Sequence, residues 1–60
     1  MTQLAPMDIV LLAVPEADRA WVTREVYRFL NMTPDAGRPS DAARTIVRQY
    51  ERGALNKHTT

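Results

Sequence analysis

Residues 40–56 read SDAARTIVRQYERGALN and predict an amphipathic helix. The apolar residues recur at i, i+3, i+4 and i+7, which places them on one helix face. They are Ala43, Ile46, Val47 and Tyr50. Ser40 is suited to the N-cap, and Asp41 falls in the first turn, where the helix dipole favours a negative charge. Gly53 is a natural C′ residue, with Leu55 available to fold back on the last turn.

The opposite side of this helix carries three arginines, Arg44, Arg48 and Arg52, each four residues from the next. Side chains at this spacing are neighbours, and like charges there disfavour an isolated helix by about 0.2–0.5 kcal/mol per pair. Phosphate groups, an acidic protein surface or water could each surround such a column. The sequence leaves these three environments open.

The net charge of +1 conceals an uneven distribution. Residues 1–37 contain three arginines against five acidic residues, whereas residues 38–60 contain five cations against two acids. The two parts therefore carry −2 and +3. Basic charge is concentrated on and beside the predicted helix, which is informative about partners rather than about fold.

A chain of sixty residues makes one small domain. Such a chain buries only about 60% of its unfolded surface, so a partner or a homodimer would help to stabilise it. The absence of cysteine excludes disulfides and thiolate metal sites. The longest apolar run, residues 9–14, is much shorter than the ~20 residues of a membrane span. Residues 1–14 also lack the features of a signal peptide, so we expect a cytoplasmic protein without a membrane partner.

A loop and a second helix precede the amphipathic stretch. Residues 31–39 contain two prolines, a glycine and an asparagine, which predicts a loop with a turn around residues 34–37. Residues 19–32 have helical spacing, with Trp21 beside the apolar side and Asp18 placed to cap the start. That apolar side consists of Val22, Val26, Phe29 and Leu30. A helix that starts at Thr23, with residues 21–22 extended before it, is the alternative.

The first element of the chain is apolar. Pro6 suits the first helical position, and the run MDIVLLAV continues until Pro15 ends it. Periodicity cannot separate a short buried helix from a buried strand here, but the proline at the start favours a helix. We predict an all-α, compact three-helix miniature domain over residues 6–55, between a flexible lead-in at 1–5 and a disordered tail at 56–60. Its predicted core consists of Ile9, Leu12, Trp21, Val22, Val26, Phe29, Ile46, Val47, Tyr50 and Leu55.

Residues suited to catalysis or metal binding are sparse. Nucleophilic catalysis requires a nucleophile with a base within reach. Ser40 is the single serine and is expected to cap a helix, and His58 is the single histidine, close to the last residue. The acidic residues are scattered without metal-ligand spacing, and the two glycines, Gly37 and Gly53, do not form a phosphate-binding loop. We expect no enzymatic activity, no cofactor and no metal site, which leaves binding as the function.

An apolar first helix, followed by WVTREVYRFLN and SDAARTIVRQYERGAL, resembles the helix-turn-helix core of winged-helix DNA-binding domains. In that family the third helix typically begins with serine or threonine, carries a mid-helix valine or isoleucine and basic residues, and closes on a glycine followed by a leucine. The matching residues are Ser40, Val47, Arg44, Arg48, Arg52, Gly53 and Leu55. The resemblance covers roughly residues 7–55. The chain departs from the family in its loop, which exceeds the usual ~3–4 residues, and in having too few residues after Gly53 for a wing.

The resemblance implies a DNA-binding, transcription-regulator-like protein whose recognition helix, residues 40–52, enters the major groove with its N-terminal half. The residues that would face bases and phosphates are Arg38, Asp41, Arg44, Thr45 and Arg48, with Arg52 in the same column. Arginine suits this role because its planar fork can bind guanine or phosphate bidentately. Duplex DNA would be the partner.

A second hypothesis is a small protein-binding module. Very small, arginine-bearing helical proteins resemble, in size and compactness, the inhibitors and adaptors that phages and plasmids encode, such as anti-CRISPR proteins and regulators of host polymerase. Acidic residues or a nucleic-acid-facing surface on a larger host protein or nucleoprotein complex would then meet Arg24, Arg28, Arg44 and Arg48. A third hypothesis is an oligomerisation module, such as a homodimer, with the arginines solvated.

Overall fold

The computed structural model describes residues 4–55, which form three helices. Helix α1 spans Pro6–Leu11, α2 spans Glu16–Met32 and α3 spans Pro39–Glu51. The described residues contain no strand, so the predicted all-α, three-helix class is confirmed and the first element is a helix. The expected disordered tail at 56–60, and residues 1–3 of the expected lead-in, lie outside the described residues.

Helix α3 is the central element of the fold. Both α1 and α2 pack against it, while α1 and α2 share few contacts with each other. The side chains buried between the helices are Met7, Leu11, Val14, Val22, Val26, Ala42, Ala43, Ile46 and Val47. Partly buried against this core are Val10, Trp21, Phe29, Leu30, Tyr50 and Leu55. The prediction for the buried stripes of α2 and α3 is therefore confirmed.

The prediction for the inward side of α1 was wrong. Ile9 and Leu12 are 57% and 54% exposed, whereas Met7, Leu11 and Val14 are buried. The buried residues have i, i+4, i+7 spacing and so share the face that meets α3. Because α1 is apolar on two sides and Asp8 is its single charged residue, its sequence contains too little polar contrast to distinguish the inner side from the outer one.

Two helix starts also differ from the prediction. Helix α2 begins at Glu16, with Pro15 as its N-cap residue, so Asp18 lies inside the first turn and is not the N-cap residue. The alternative start at Thr23 was wrong. Helix α3 begins at Pro39, whose ring fixes a backbone angle suited to the first helical position. Ser40 therefore lies within the first turn instead of capping it.

The cap of α3 is shared between Arg38 and Asp41. Arg38 is the N-cap residue, and its backbone N–H donates to Asp41 Oδ2 at 3.3 Å. The backbone N–H of Asp41 in turn donates to the carbonyl oxygen of Arg38 at 2.9 Å. Because a guanidinium has no acceptor atom, the side-chain part of this cap comes from the Asp41 carboxylate alone.

The predicted loop and helix end are confirmed. Residues 33–38 connect α2 to α3, with a turn in which Ala36 N–H donates to the Thr33 carbonyl oxygen at 3.1 Å. At the end of α3, Gly53 adopts φ 74°, and the N–H groups of Gly53 and Ala54 donate to Tyr50 and Gln49 at 3.1 and 2.8 Å. This pairing is a Schellman motif, after which Leu55 packs on the core.

Two side-chain clusters hold the helices together. Asp18 accepts a hydrogen bond from Trp21 Nε1 at 3.1 Å through one oxygen and from the Tyr50 hydroxyl at 2.5 Å through the other. The rings of Trp21 and Tyr50 lie 5.9 Å apart between centroids, in tilted contact. Separately, Arg19 donates from Nε to the Leu11 carbonyl at 3.2 Å and from Nη2 to the Val14 carbonyl at 2.8 Å, which closes the end of α1.

Candidate nucleic-acid interface

The outward side of α3 gathers five of the residues suggested as partner-binding. They are Asp41, Arg44, Thr45, Arg48 and Arg52, which we call the α3 outward face. All five side chains are exposed, and their spacing places them within one arc of the helix, opposite the buried stripe. The fold therefore presents these residues together to the outside, while the other side of α3 is fixed in the core.

Asp41 organises the first turns of this face. One of its carboxylate oxygens accepts from the Arg38 backbone, and the other forms an ion pair with Arg44 Nη1 at 3.0 Å. The Thr45 hydroxyl donates to the carbonyl oxygen of Asp41 at 3.2 Å. An ion pair this exposed contributes only about 0–1 kcal/mol. It therefore orients Arg44 but is weak enough for the guanidinium to bind an external anion instead.

Arg48 and Arg52 continue the column towards the end of α3. Their guanidinium groups form no hydrogen bond or ion pair with another residue in the range 4–55. Four residues of α-helix advance about 6 Å, so the two groups are one turn apart on the same side. They are the two positive charges of the face that are open to an external anion.

Arg38 lies at the start of α3, apart from that column. It borders a shallow hollow of about 280 Å³ between the first residues of α1 and α3. The hollow is lined by Ala5, Pro6, Met7, Arg38, Pro39 and Ser40. Arg38 therefore extends the basic surface beyond the N-terminal end of the α3 outward face.

Arg24 and Arg28, the remaining suggested residues, belong to a different surface. They lie on the side of α2 opposite its buried valines, together with Tyr27, and Met32 is exposed at the last residue of the same helix. Tyr27 is 55% and Met32 71% exposed. These four residues form the α2 outward face, which combines positive charge with large apolar side chains. Met32 was not among the residues suggested from the sequence.

No group of three or more His, Cys, Asp or Glu residues in the range 4–55 is arranged to hold a metal ion. Ser40 borders the hollow in the first turn of α3, and His58 lies outside the described residues. Among the described helices, none has the length and apolar character needed to cross a membrane.

Comparison with protein-family models, with curated proteins and with solved structures gives no match to this chain. The winged-helix resemblance therefore rests on the matched residues alone and stays a prediction. The loop of residues 33–38 is longer than the ~3–4 residues usual in a helix-turn-helix.

Proposed function

We propose that this protein binds duplex DNA through the α3 outward face, as a small transcription-regulator-like protein of the cytoplasm. The observation that carries the proposal is the composition of that face. It presents three arginines one helical turn apart and no large apolar side chain. A surface of this kind suits an anionic, hydrated partner better than an apolar one.

The dimensions of α3 fit this role. An α-helix with its side chains is about 10–12 Å across, and the major groove is about 12 Å wide. Arg48 and Arg52 would contact phosphates, because their guanidinium groups have no partner among residues 4–55. Arg44, oriented by Asp41, would lie nearer to the base edges, and Arg38 would contact the flanking backbone. The protein would need neither a cofactor nor catalysis for this function.

Fluorescence anisotropy with labelled random duplex DNA at ~50 and ~200 mM salt tests the proposal. The wild type should bind at the lower salt, with a steep salt dependence. Arg48→Ala/Arg52→Ala should reduce the slope of log K against log[salt] by about 1.8, which corresponds to two lost phosphate contacts. The matched control is Arg24→Ala/Arg28→Ala, which removes two arginines at the same spacing from α2 and should leave the slope unchanged.

Circular dichroism of both variants should show the helix content of the wild type, since all four arginines are exposed. Absence of binding at ~50 mM salt would contradict the proposal. Equal losses in the two variants would also contradict it, because binding would then follow total charge instead of the α3 outward face.

The α2 outward face favours a second candidate function, which is binding to a larger host protein in the manner of a phage- or plasmid-encoded inhibitor. Arginine, tyrosine and methionine are the residue types of this face, and all three are enriched at protein interfaces. A pull-down from nuclease-treated bacterial lysate would test it with the same two variants. This candidate predicts one stoichiometric species that Arg24→Ala/Arg28→Ala loses and Arg48→Ala/Arg52→Ala retains. Recovery of nothing would contradict it.

A further inference from the structure

We propose that a second copy of this chain covers the outward side of α1, so that the protein is a homodimer. The surface concerned consists of Leu4, Ile9 and Leu12, which we call the α1 apolar surface. These side chains are 54%, 57% and 54% exposed. They are three of the five large hydrophobic side chains exposed among residues 4–55, and they lie within nine positions of sequence.

The packing of α1 leaves this surface uncovered. Met7 and Leu11 face α3, so the opposite side of the helix, which includes Ile9, faces outward. Ile9 and Leu12 are three residues apart and are therefore neighbours on that side. Helix α1 has only six residues, whereas isolated helices need about 12–15 to persist, so it depends on packing for its stability.

The lack of charge in this segment argues for an apolar occupant, and the small size of the domain argues that this occupant is a copy of the same chain. Asp8 is the single charged residue between Leu4 and Val14, so the surface offers almost nothing to a polyanion or to an acidic or basic protein. Its complement is another apolar, nearly uncharged surface. In a two-fold dimer the same surface meets itself, so each contact between two different residues occurs twice. The exposed apolar residues of α2, by contrast, alternate with arginines.

The composition of the core supports the same inference. The side chains that are buried among residues 4–55 are aliphatic ones of methionine, leucine, isoleucine, valine and alanine, while every aromatic residue retains exposure. A domain this small gains much from additional apolar burial, and oligomerisation is a common way to obtain it. A symmetric contact across α1 would bury Ile9 and Leu12 of each chain, four large aliphatic side chains that a single copy leaves exposed.

Sedimentation equilibrium without DNA, from ~5 to ~500 µM protein, tests this inference independently of DNA binding. We expect the wild-type mass to rise with concentration from 6.8 kDa towards twice that value. The melting temperature should also rise with concentration, because association stabilises only the folded chain. A wild type that remains monomeric over the whole range would overturn the inference.

Paired variants locate the interface. Ile9→Lys/Leu12→Lys should be monomeric at every concentration, with unchanged helix content, because both side chains are exposed in the single chain. The control Tyr27→Lys/Met32→Lys alters two exposed apolar residues of α2 and should dimerise like the wild type. If the first pair fails to fold, Ile9→Gln/Leu12→Gln replaces it without adding charge. A folded α1 variant that dimerises as well as the wild type would overturn the proposed location.

Discussion

Helices α1 and α3 pack against each other, yet they differ in how clearly their sequences separate inside from outside. Every exposed residue of the α3 outward face is polar or charged, and the opposite stripe is apolar. Helix α1 has apolar side chains on both its buried and its exposed side. The difference indicates that a sequence specifies the orientation of a helix only through the contrast between its sides. It also divides the proposed roles, with an anionic partner at α3 and a second copy at α1.

The two helices also differ in how their ends are satisfied. Helix α3 is capped at its start by Asp41 and ends in a Schellman motif at Gly53. The residues that define its two ends therefore lie within the helix or directly beside it. The end of α1 is different. The carbonyl oxygens of Leu11, its last residue, and of Val14, in the following turn, accept hydrogen bonds from Arg19, which lies eight positions after Leu11. An isolated α3 would keep the residues that cap both of its ends, whereas the carbonyl groups at the end of α1 need an arginine from the next helix as their hydrogen-bond donor.

Adjacent leucines at the end of α1, Leu11 and the C-cap residue Leu12, provide the strongest test of this comparison. Leu11 is 2% exposed, so Leu11→Ala should lower the free energy of unfolding by about 2–5 kcal/mol. Leu12→Ala should change it by no more than about 0.5 kcal/mol, because Leu12 is mostly exposed. Urea denaturation followed by circular dichroism, at low micromolar protein to limit association, measures both. Equal losses would show that the orientation of α1 is wrong.

The end of α1 gives the next largest expected effect. Arg19→Ala removes two charge-assisted hydrogen bonds and should cost about 1–3 kcal/mol in the same denaturation experiment. Arg19→Lys should recover part of this loss, because its ammonium keeps the charge and the donors but lacks the two separate nitrogens with which the guanidinium fork reaches the two carbonyls. Arg24→Ala is the control, since it removes an exposed arginine from the same helix. Equal stability of Arg19→Ala and Arg24→Ala would show that the hydrogen bonds from Arg19 to the Leu11 and Val14 carbonyls do not stabilise the domain.

The end of α3 should be less sensitive to substitution. Gly53→Ala places a side chain at φ 74°, where no atom of residues 4–55 other than the chain neighbours lies within 4 Å of the added Cβ. The cost should therefore arise from the backbone alone and amount to about 1–2 kcal/mol. Gly53→Asn should cost less, because asparagine tolerates the left-handed region. If Gly53→Ala has the stability of the wild type, the Schellman end contributes nothing to α3.

The features that the sequence predicted are those with local signals. The stripe of α3, its glycine end, the loop and the three-helix class all follow from spacing or from residues that restrict the backbone. The position of the residues in the α3 outward face followed from the same spacing. Neither the partner nor the function follows from it, because arginines at this spacing suit several anionic surfaces.

Some features that the sequence did not predict depend on contacts between residues distant along the chain. Others arise where two neighbouring residues are equally suited to the same role, so that the sequence alone does not decide between them. Asp18 has the residue type of a helix cap, but its carboxylate binds Tyr50, which lies 32 positions away. At the start of α3 the proline signal and the Ser40 signal are adjacent, and the helix follows the proline. In α1 the apolar residues are equivalent by type, and only packing against α3 selects Met7 and Leu11.

The smallest expected effect concerns the contact between Tyr50 and Asp18, which makes the attachment of α3 to α2 sensitive to pH. The hydrogen bond to Asp18, followed by partial burial and the negative charge of Asp18, raises the pKa of Tyr50. The folded state therefore holds the phenol proton more tightly than the unfolded state does. The resulting stabilisation is complete below the ordinary tyrosine pKa of about 10 and is lost as the pH rises through the folded-state value.

Tyr50→Phe should accordingly have a lower melting temperature than the wild type near pH 7, and the difference should narrow above about pH 10, where the wild type loses this contribution. Melting curves recorded by circular dichroism between pH 7 and 11 measure the difference. Tyr27→Phe is the control, because Tyr27 is an exposed tyrosine on α2. Its melting temperature should follow that of the wild type at every pH. A difference that does not change with pH would show that ionisation of Tyr50 does not weaken its bond to Asp18. Equal melting temperatures near pH 7 would show that this bond contributes nothing measurable, because phenylalanine retains the ring contact with Trp21.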